Sequence, residues 1–545
     1  MIFANNVDLN HSVLKTVFSN IRNNFYNKID PKIHGAVYIG KHDFRYAEPE
    51  FTGKYLDICA HFYELDNDER AKENGKIVVD SIYQNQRKDG YIGCLNDGDE
   101  LVAFSVWNHA FTLYGLTRFY EATGDMVAFE CANKAAEWLI ATFLCENAPD
   151  ILNAANGGSQ HLSSIFSMMQ IYRVTKNKKY LDYVEKVLNY CETTDMNLLS
   201  FDSILNLRSR KGIEMIVVYL GVLEYGILSN CKKAIEAAEK YWQEVYTTQI
   251  RNTGNGTICE KWTLGGNAPI LLPTDSKPNE TCVAVGWIEM SLKLFAITHE
   301  AKYLDAIEQT LYNHMIGSLE SKGEDFAYYQ GNYGKKIYRT GEGMYQCCRY
   351  RGFTLFTYLK DFIYSYDRES IIPVVYNASK FEIEGLSVVQ KTSYPKDFKV
   401  SFEINNQKDN QKIKLHIPKW CSEFDIKINN EEKQISAENG YLVIGLVKGI
   451  TEISIDFVTS VKYQIDEIED KKYASFNYGP LLLAMDTHFS NSLWEKVEQP
   501  FNITREETNG EIVHFKCNQL HLIDFASAGK LCPNEDVYSV YIPVE

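Results

Sequence analysis

Five stretches of this chain repeat one grammar: an apolar helix, a short polar turn, then a second, amphipathic helix. They cover 51–86, 106–144, 161–191, 212–246 and 280–317, and within each the apolar residues recur at helical spacing. The clearest internal echo is KYLDYVEKVL at 179–188 against KYLDAIEQTL at 302–311. A helical hairpin cannot bury its apolar faces alone, so repeats of this kind must stack on one another. Segments 12–29 and 353–365 supply a sixth pair. Six hairpins closing on themselves make an (α/α)6 barrel. The first helix of each pair would then line the inside, with a cleft at the N-terminal ends of those inner helices. An open helical solenoid is the alternative, because periodicity does not show closure.

After Tyr366 the pattern changes. Runs at 398–405, 413–420, 424–430, 441–447 and 451–458 alternate apolar and polar residues, separated by Asn, Gly and Lys turns at β-sandwich spacing. The expected fold class is therefore multidomain α + β, a helical barrel followed by one or more C-terminal β-sandwich modules. The expected domains are a catalytic barrel over 1–365, a β-sandwich over 366–470, and a further β region over 471–545. That last region is either a second sandwich or part of the first.

At 545 residues the chain is too long for one ordinary core. Its 56 Lys and Arg against 72 Asp and Glu give a net charge of −16, and no basic stripe is evident, so a nucleic-acid partner is not expected. The opening residues show no basic segment followed by an apolar one, and no run approaches eighteen apolar residues. Neither secretion nor a membrane span is expected. Thirteen cysteines without a secretion signal fit a reducing compartment, with thiols free or metal-bound, and the expected location is cytoplasmic. A small oligosaccharide or glycoside is the expected partner, with a homodimer left open.

The chemistry concentrates at Glu280 and Cys282, two apart where a loop enters a helix, and at the vicinal pair Cys347 and Cys348, where the loop from Tyr338 to Gln346 enters another. Three thiols and one carboxylate match the ligand count of a tetrahedral Zn2+. A metal-bound thiolate in a pocket can be a nucleophile. The plainer readings are buried structural cysteines and an acid at a helix N-terminus, capped by Asn279 or Thr281. His109, His161 and Glu214 also head first helices of hairpins. For each histidine the plainer reading is a hydrogen-bonded structural group. Glu260, in the loop from Thr253, offers a proton donor, and the flanking Trp262 and glycines would allow close approach of a sugar.

These pieces resemble the cysteine-dependent β-L-arabinofuranosidases of glycoside hydrolase family 127 and their relatives. The resemblance rests on 51–53 with 86–91, His109, His161 heading a helix that ends at 171–175, and 260–262. It continues through Glu280-Thr281-Cys282, 308–313, Cys347-Cys348, 415–420, 439–441 and 478–480, so it runs through most of the chain. It implies a catalytic (α/α)6 barrel with β-sandwich modules and a zinc held by Glu280, Cys282, Cys347 and Cys348. By the same resemblance Cys347 looks like the nucleophile and Glu260 like the general acid/base of a retaining, exo-acting hydrolase of a furanoside. His109 and His161 look like sugar-binding residues; Glu214, Trp262 and Arg349 are candidate substrate contacts on their own positions.

The sequence departs from the family pattern in three places. Arg349, Tyr350 and Arg351 follow the cysteine pair where Pro-Pro-Asn stands in familiar members, a family histidine falls at Ile213, and the loop between Glu260 and Glu280 differs in length and composition. Arg349 and Arg351 either read a substrate carboxylate or offset the charge of the metal ligands. Two other functions remain open on the residues alone. One is a barrel hydrolase or lyase of uronic acid sugars with structural cysteines, and the other is a non-catalytic carbohydrate-binding protein with a structural zinc.

Overall fold

The computed structural model describes residues 2–3, 7–10, 12–39, 49–263, 273–338, 347–468, 470–490, 492–507, 512–533 and 535–545. The segment 339–346 ahead of Cys347, and positions 264–267 of the loop that carries Glu260, lie outside them.

Six inner helices form a ring: Pro49–Asp66, Ser105–Thr123, Ser164–Thr175, Gly212–Ser229, Thr281–Thr298 and Cys347–Thr357. Each packs on the next, and Cys347–Thr357 packs back onto Pro49–Asp66, so the ring closes and the open solenoid is excluded. The inner helices are buried on almost every face, whereas outer helices such as Lys178–Cys191 and Lys232–Thr248 bury one stripe. The sixth hairpin pairs the two ends of the helical region, Val13–Lys28 against Cys347–Thr357. That last inner helix starts at Cys347, at the loop–helix junction read for the cysteine pair, and Arg349 and Arg351 interrupt its apolar pattern ahead of 353. Gly212–Ser229 and Thr281–Thr298 are long and apolar enough to cross a membrane by length and mean hydropathy, although Glu214 and Glu224 interrupt the first and Glu289 and Lys293 the second. Most of their residues are buried inside the barrel.

The turns explain why the site sits at one end. Five inner helices finish on a left-handed residue, Asn67, Gly124, Lys176, Asn230 or His299. The next residue already caps the outer helix: Asp68, Asp125 and Asn177 do so with their side chains. A left-handed C-terminal residue followed at once by an N-cap is the shortest way to reverse a helix. The C-terminal ends of the inner helices thus spend two residues per turn, and the long connections all fall at the N-terminal ends.

Past the last inner helix the chain turns to strands, beginning at Tyr364–Tyr366. A five-stranded sheet runs Ile2–Phe3, Tyr364–Tyr366, Ser370–Pro373, Lys412–His416, Tyr441–Gly445. A seven-stranded sheet includes Val7–Leu9 at one edge, paired to Ser379–Ile383. Residues 2–3 and 7–9 therefore belong to the sheets and not to the helical ring, a long-range pairing that local pattern does not carry. A third sheet is built from strands between Lys462 and Val544 and reaches back to Tyr333–Gly334. The last outer helix continues from Ala301–Gln309 through a π-turn at Thr310–Met315. There the Asn313 amide donates to Pro480 O at 2.9 Å and accepts from Leu482 N at 2.9 Å, fastening barrel to sheet. π-turns of this kind often mark functional positions, and His314 on it lies 3.0 Å from the Thr281 hydroxyl, at the start of the helix that carries Cys282.

Candidate active site

A cavity of about 210 Å³ opens at the N-terminal ends of the inner helices, lined among others by Glu50, Lys54, Trp107, Glu214, Glu260 and Cys347. At its floor the side chains of Glu280, Cys282, Cys347 and Cys348 converge, one ligand atom from each lying within 4.8 Å of the others. Cys347 Sγ is 3.9 Å from Cys348 Sγ and 4.0 Å from Glu280 Oε1, and Cys348 Sγ is 4.0 Å from the same oxygen. A tetrahedron with metal–sulfur bonds of about 2.3 Å has edges of about 3.8 Å, so the spacing fits a zinc-sized ion. Glu280 Oε2 is buried without a hydrogen-bond partner among the described residues. Glu280 sits at the N-cap position of its helix, yet its side chain makes no capping bond. The carboxylate is therefore held for something other than the helix end. Asn255 fixes its backbone, donating to Glu280 O at 2.8 Å.

Electrostatics agree with a site built for a cation. Burial, then the neighbouring Cys347, pushes the Glu280 carboxyl up to about 8. Burial drives the Cys282 and Cys348 thiols well above the ordinary range, while hydrogen bonds from those two thiols hold Cys347 well below it. Four close acidic groups cannot all ionise without positive charge between them. Cys347 is the only one of the four that is partly exposed, and it faces the cavity. Tyr328 Oη lies 3.2 Å from its sulfur.

Glu260 reaches the same cavity from a tight hairpin. Ile258 and Lys261 exchange both backbone hydrogen bonds at 3.0 Å, leaving Cys259 and Glu260 as the two central residues with φ of 47° and 65°. That geometry belongs to Asn-Gly turns, and non-glycine residues there cost on the order of 1–3 kcal/mol each. The hairpin lies over the start of the Gly212 helix, Gly212 N donating to Glu260 O at 2.8 Å. A Cβ at Gly212 would meet Thr257 Cγ2 at 2.8 Å, so only glycine admits the hairpin. Tyr329 donates to Glu260 Oε1 and Lys211 pairs with Oε2.

Among the described residues three cations line the cavity, and each has its acid: Lys54 with Glu50, Lys211 with Glu260, Arg351 with Glu289. Burial opposes the charge on Lys54, but Glu50, Cys282 and Cys347 outweigh it and hold the ammonium above its usual value. Glu214, kept up by burial, accepts from Ser159 at 2.6 Å and Asn156 at 2.9 Å.

Other sequence candidates lie elsewhere. His109 Nδ1 accepts from Ile92 N at 3.1 Å and its Nε2 donates to Ala135 O at 2.9 Å, so both nitrogens pin backbone behind the wall. His161 places Nδ1 3.1 Å from Ile151 O and Nε2 3.3 Å from Leu101 O, so its ring faces two backbone carbonyls and its one N–H donates to either of them. Trp262 anchors the Glu260 hairpin by donating to Tyr241 Oη at 2.9 Å. None of the three lines the cavity, and neither does Arg349, whose guanidinium lies over the Phe353 ring at 5.7 Å. Residues that line it without having been singled out are Glu50, Lys54, Lys211 and Tyr328. A Glu and a Lys four apart on the buried face of an inner helix was the signal available for the first two.

A family model described as the GH127 catalytic domain of β-L-arabinofuranosidase matches residues 2–361, and the GH127 middle domain matches 371–449. Among solved structures, a GH127 β-L-arabinofuranosidase from Geobacillus stearothermophilus T6 superposes with a TM-score of 0.77 at 16% identity, over 99% of this chain and 100% of that one. The GH127 β-arabinofuranosidase BT3674 gives 0.82 at 16% identity, over 100% and 97%. At that identity the superpositions speak for the fold. No curated protein matches the sequence.

Proposed function

The chain belongs to the β-L-arabinofuranosidase family GH127 of glycoside hydrolases, and from that premise we propose that it hydrolyses a furanoside such as a β-L-arabinofuranoside, exo-fashion and with retention, using Cys347 as nucleophile and Glu260 as general acid/base. The observation that carries the reading is the convergence of Glu280, Cys282, Cys347 and Cys348 on one point at the floor of a sugar-sized cavity.

Those four residues would hold a Zn2+, whose positive charge would keep the sulfurs as thiolates at neutral pH. Cys347, the ligand exposed to the cavity, attacks the anomeric carbon. Glu260 gives its proton to the departing oxygen. A thioglycosyl-enzyme results, and Glu260, now a carboxylate, takes a proton from water as that water displaces the sulfur. Two displacements at one carbon return the original configuration. Tyr328 and Tyr329 are neighbours in sequence, their rings 4.6 Å apart, and they hold nucleophile and acid/base respectively. Sugar hydroxyls have Glu50 and Glu214 as acceptors on the cavity wall. The paired state of Lys54, Lys211 and Arg351 favours a neutral sugar over a uronate, which would need a cation of its own. By the same pairing, Arg351 offsets the negative charge of the cysteine cluster.

The test is turnover of a panel of nitrophenyl furanosides by wild type and Cys347→Ser, with the metal content of both. A β-L-arabinofuranoside cleaved by wild type alone, with the β-anomer released first, is expected. Activity that survives Cys347→Ser would overturn the mechanism.

A further inference from the structure

The barrel cavity does not use the far end of the third sheet, where a second group of metal-type donors comes together. His488, Cys532 and Asp536 each present a ligand atom within 4.8 Å of the other two. His488 Nδ1 stands 3.5 Å from Asp536 Oδ2 and 3.9 Å from Cys532 Sγ. These are the edge lengths of a tetrahedron around an ion held at about 2.0–2.3 Å by nitrogen, oxygen and sulfur.

Backbone geometry fixes this arrangement, so it is not a chance meeting of surface side chains. The strand ending at Asp486 pairs antiparallel with Tyr538–Ser539, Asp486 opposite Tyr538. Continuing that register puts 487 opposite 537 and 488 opposite 536. Thr487 N donates to Val537 O and Val537 N donates to the Thr487 hydroxyl, both at 2.9 Å, which carries the contact one residue past the strand ends. His488 and Asp536 lie just past that contact, on the segments that leave the two strands, where His488 Nδ1 meets Asp536 Oδ2. Cys532 is brought to them by a turn in which Glu535 N and Asp536 N both donate to Cys532 O at 3.0 Å. The Cys532 N–H in return donates to Asp536 Oδ2 at 2.8 Å and orients the carboxylate. Beneath them the buried Asp486 accepts from His488 N and from Gly529 N, each at 2.8 Å, fastening both donor-bearing segments to one point. A ligand set oriented by second contacts of this sort is a prepared one.

We propose that His488, Cys532 and Asp536 form a second metal site, separate from the cysteine cluster of the barrel, for a borderline divalent ion of the Zn2+ class. One imidazole, one thiolate and one carboxylate select such an ion over Mg2+ or Ca2+, which take all-oxygen sets. Three protein ligands leave the fourth position to water, and the exposed edge of His488 admits it. The ion would clip the turn after Asp486 to the 529–536 segment. That segment also carries Lys530, whose ammonium donates to Ile316 O at the end of the last outer helix. Loss of the ion should therefore loosen a contact between sheet and barrel.

The experiment is a metal count on the full-length protein loaded with Zn2+ and freed of loosely held ions, for wild type, Cys532→Ala, His488→Ala and Asp536→Asn. Wild type is expected to retain about two equivalents and each variant about one, with amide exchange faster across 486–490 and 529–536 only in the variants. Asp536→Asn keeps an acceptor for the Cys532 N–H and serves where a larger change disturbs folding, and an unchanged far-ultraviolet spectrum certifies the fold. An equal count in wild type and all three variants overturns the proposal and leaves His488 and Asp536 an ordinary ion pair beside a bystander thiol. The equivalent lost on Cys282→Ser belongs to the barrel, so failure of either site is told apart from failure of the other.

Discussion

The phenol of Tyr328 lies 3.2 Å from the sulfur of Cys347, close enough to donate to a thiolate and to aim it. A hydrogen bond to a charged group contributes about 1.5–3 kcal/mol, which corresponds to roughly 10- to 100-fold in rate if it acts in the transition state. Tyr328→Phe should lower kcat/KM by that range while leaving the metal content of the barrel site unchanged. Steady-state kinetics with a nitrophenyl furanoside and a metal count on the same preparation check both halves.

The cysteine cluster makes a different prediction, about its two fully buried thiols. Cys282 and Cys348 are fully buried, so their job is to hold the ion and not the sugar. Cys282→Ser and Cys348→Ser should lose metal and activity together, and Zn2+ in excess should restore part of the activity. Cys347→Ser should keep much of its metal and lose activity by several orders of magnitude, because it removes the attacking atom. A chelator added to wild type should mimic the first pair and not the second.

Glu260 occupies a left-handed position that local preference would give to glycine. Glu260→Gln should therefore fold as well as wild type but lose about 10²–10⁴-fold in turnover, the usual share of general acid–base catalysis. Substrates with a good leaving group need less protonation, so their loss should be smaller in the first displacement. Azide should rescue the second step as a glycosyl azide, read by mass spectrometry. An equal loss for good and poor leaving groups, with no azide product, would place Glu260 outside the proton transfers.

Much of this was legible in the sequence, and its limits have physical reasons. The hairpin repeat could be read because each helix pair carries its own period, and Glu280, Cys282, Cys347 and Cys348 stood out because thiols and acids at loop–helix junctions are chemically specific. Ring closure was not legible, since it depends on Cys347–Thr357 meeting Pro49–Asp66 across the whole barrel. His109 and His161 share the helix-start position of true ligands, yet only the fold reveals that Ile92, Ala135, Ile151 and Leu101 use up their nitrogens. Lys54 and Glu50 lay hidden inside a helix whose apolar character says core, because a buried ion pair is marked by its neighbours and not by its own spacing.

A pH effect is expected at the junction of barrel and sheet. Glu308 is buried, with Tyr394 donating to one oxygen and Trp420 to the other at 2.8 Å. Burial outweighs those bonds and raises its carboxyl from 4.5 to about 7. The folded state therefore holds this proton more tightly than the unfolded chain does. Its contribution is complete below pH 4.5 and is lost as the pH rises through about 7. The amount is on the order of 3 kcal/mol. The difference in unfolding free energy between wild type and Glu308→Gln, measured by urea at pH 4.5 and pH 8, should move in favour of the variant by about that much. No change with pH would mean that Glu308 is ionised in the fold throughout.

The last prediction concerns the ion pair beneath the cavity. Lys54 donates to Glu50 Oε1 at 2.9 Å, Trp107 donates to the other oxygen, and both charged side chains are almost fully buried. Removing one partner of a buried pair strands the other charge and costs about 3–5 kcal/mol, whereas replacing both is often close to neutral. Lys54→Met should thus lower Tm sharply and Glu50→Gln/Lys54→Met should recover most of the loss, since Gln still accepts from Trp107. Activity should not recover with stability. Lys54 is a fixed positive charge of the protein itself that favours the Cys347 thiolate, and the double variant lacks it. A stable, metal-bound double variant with its Cys347 alkylation profile shifted to higher pH and its turnover reduced would assign Lys54 a part in keeping the sulfur ionised. Full turnover in that variant would leave the pair a purely structural one.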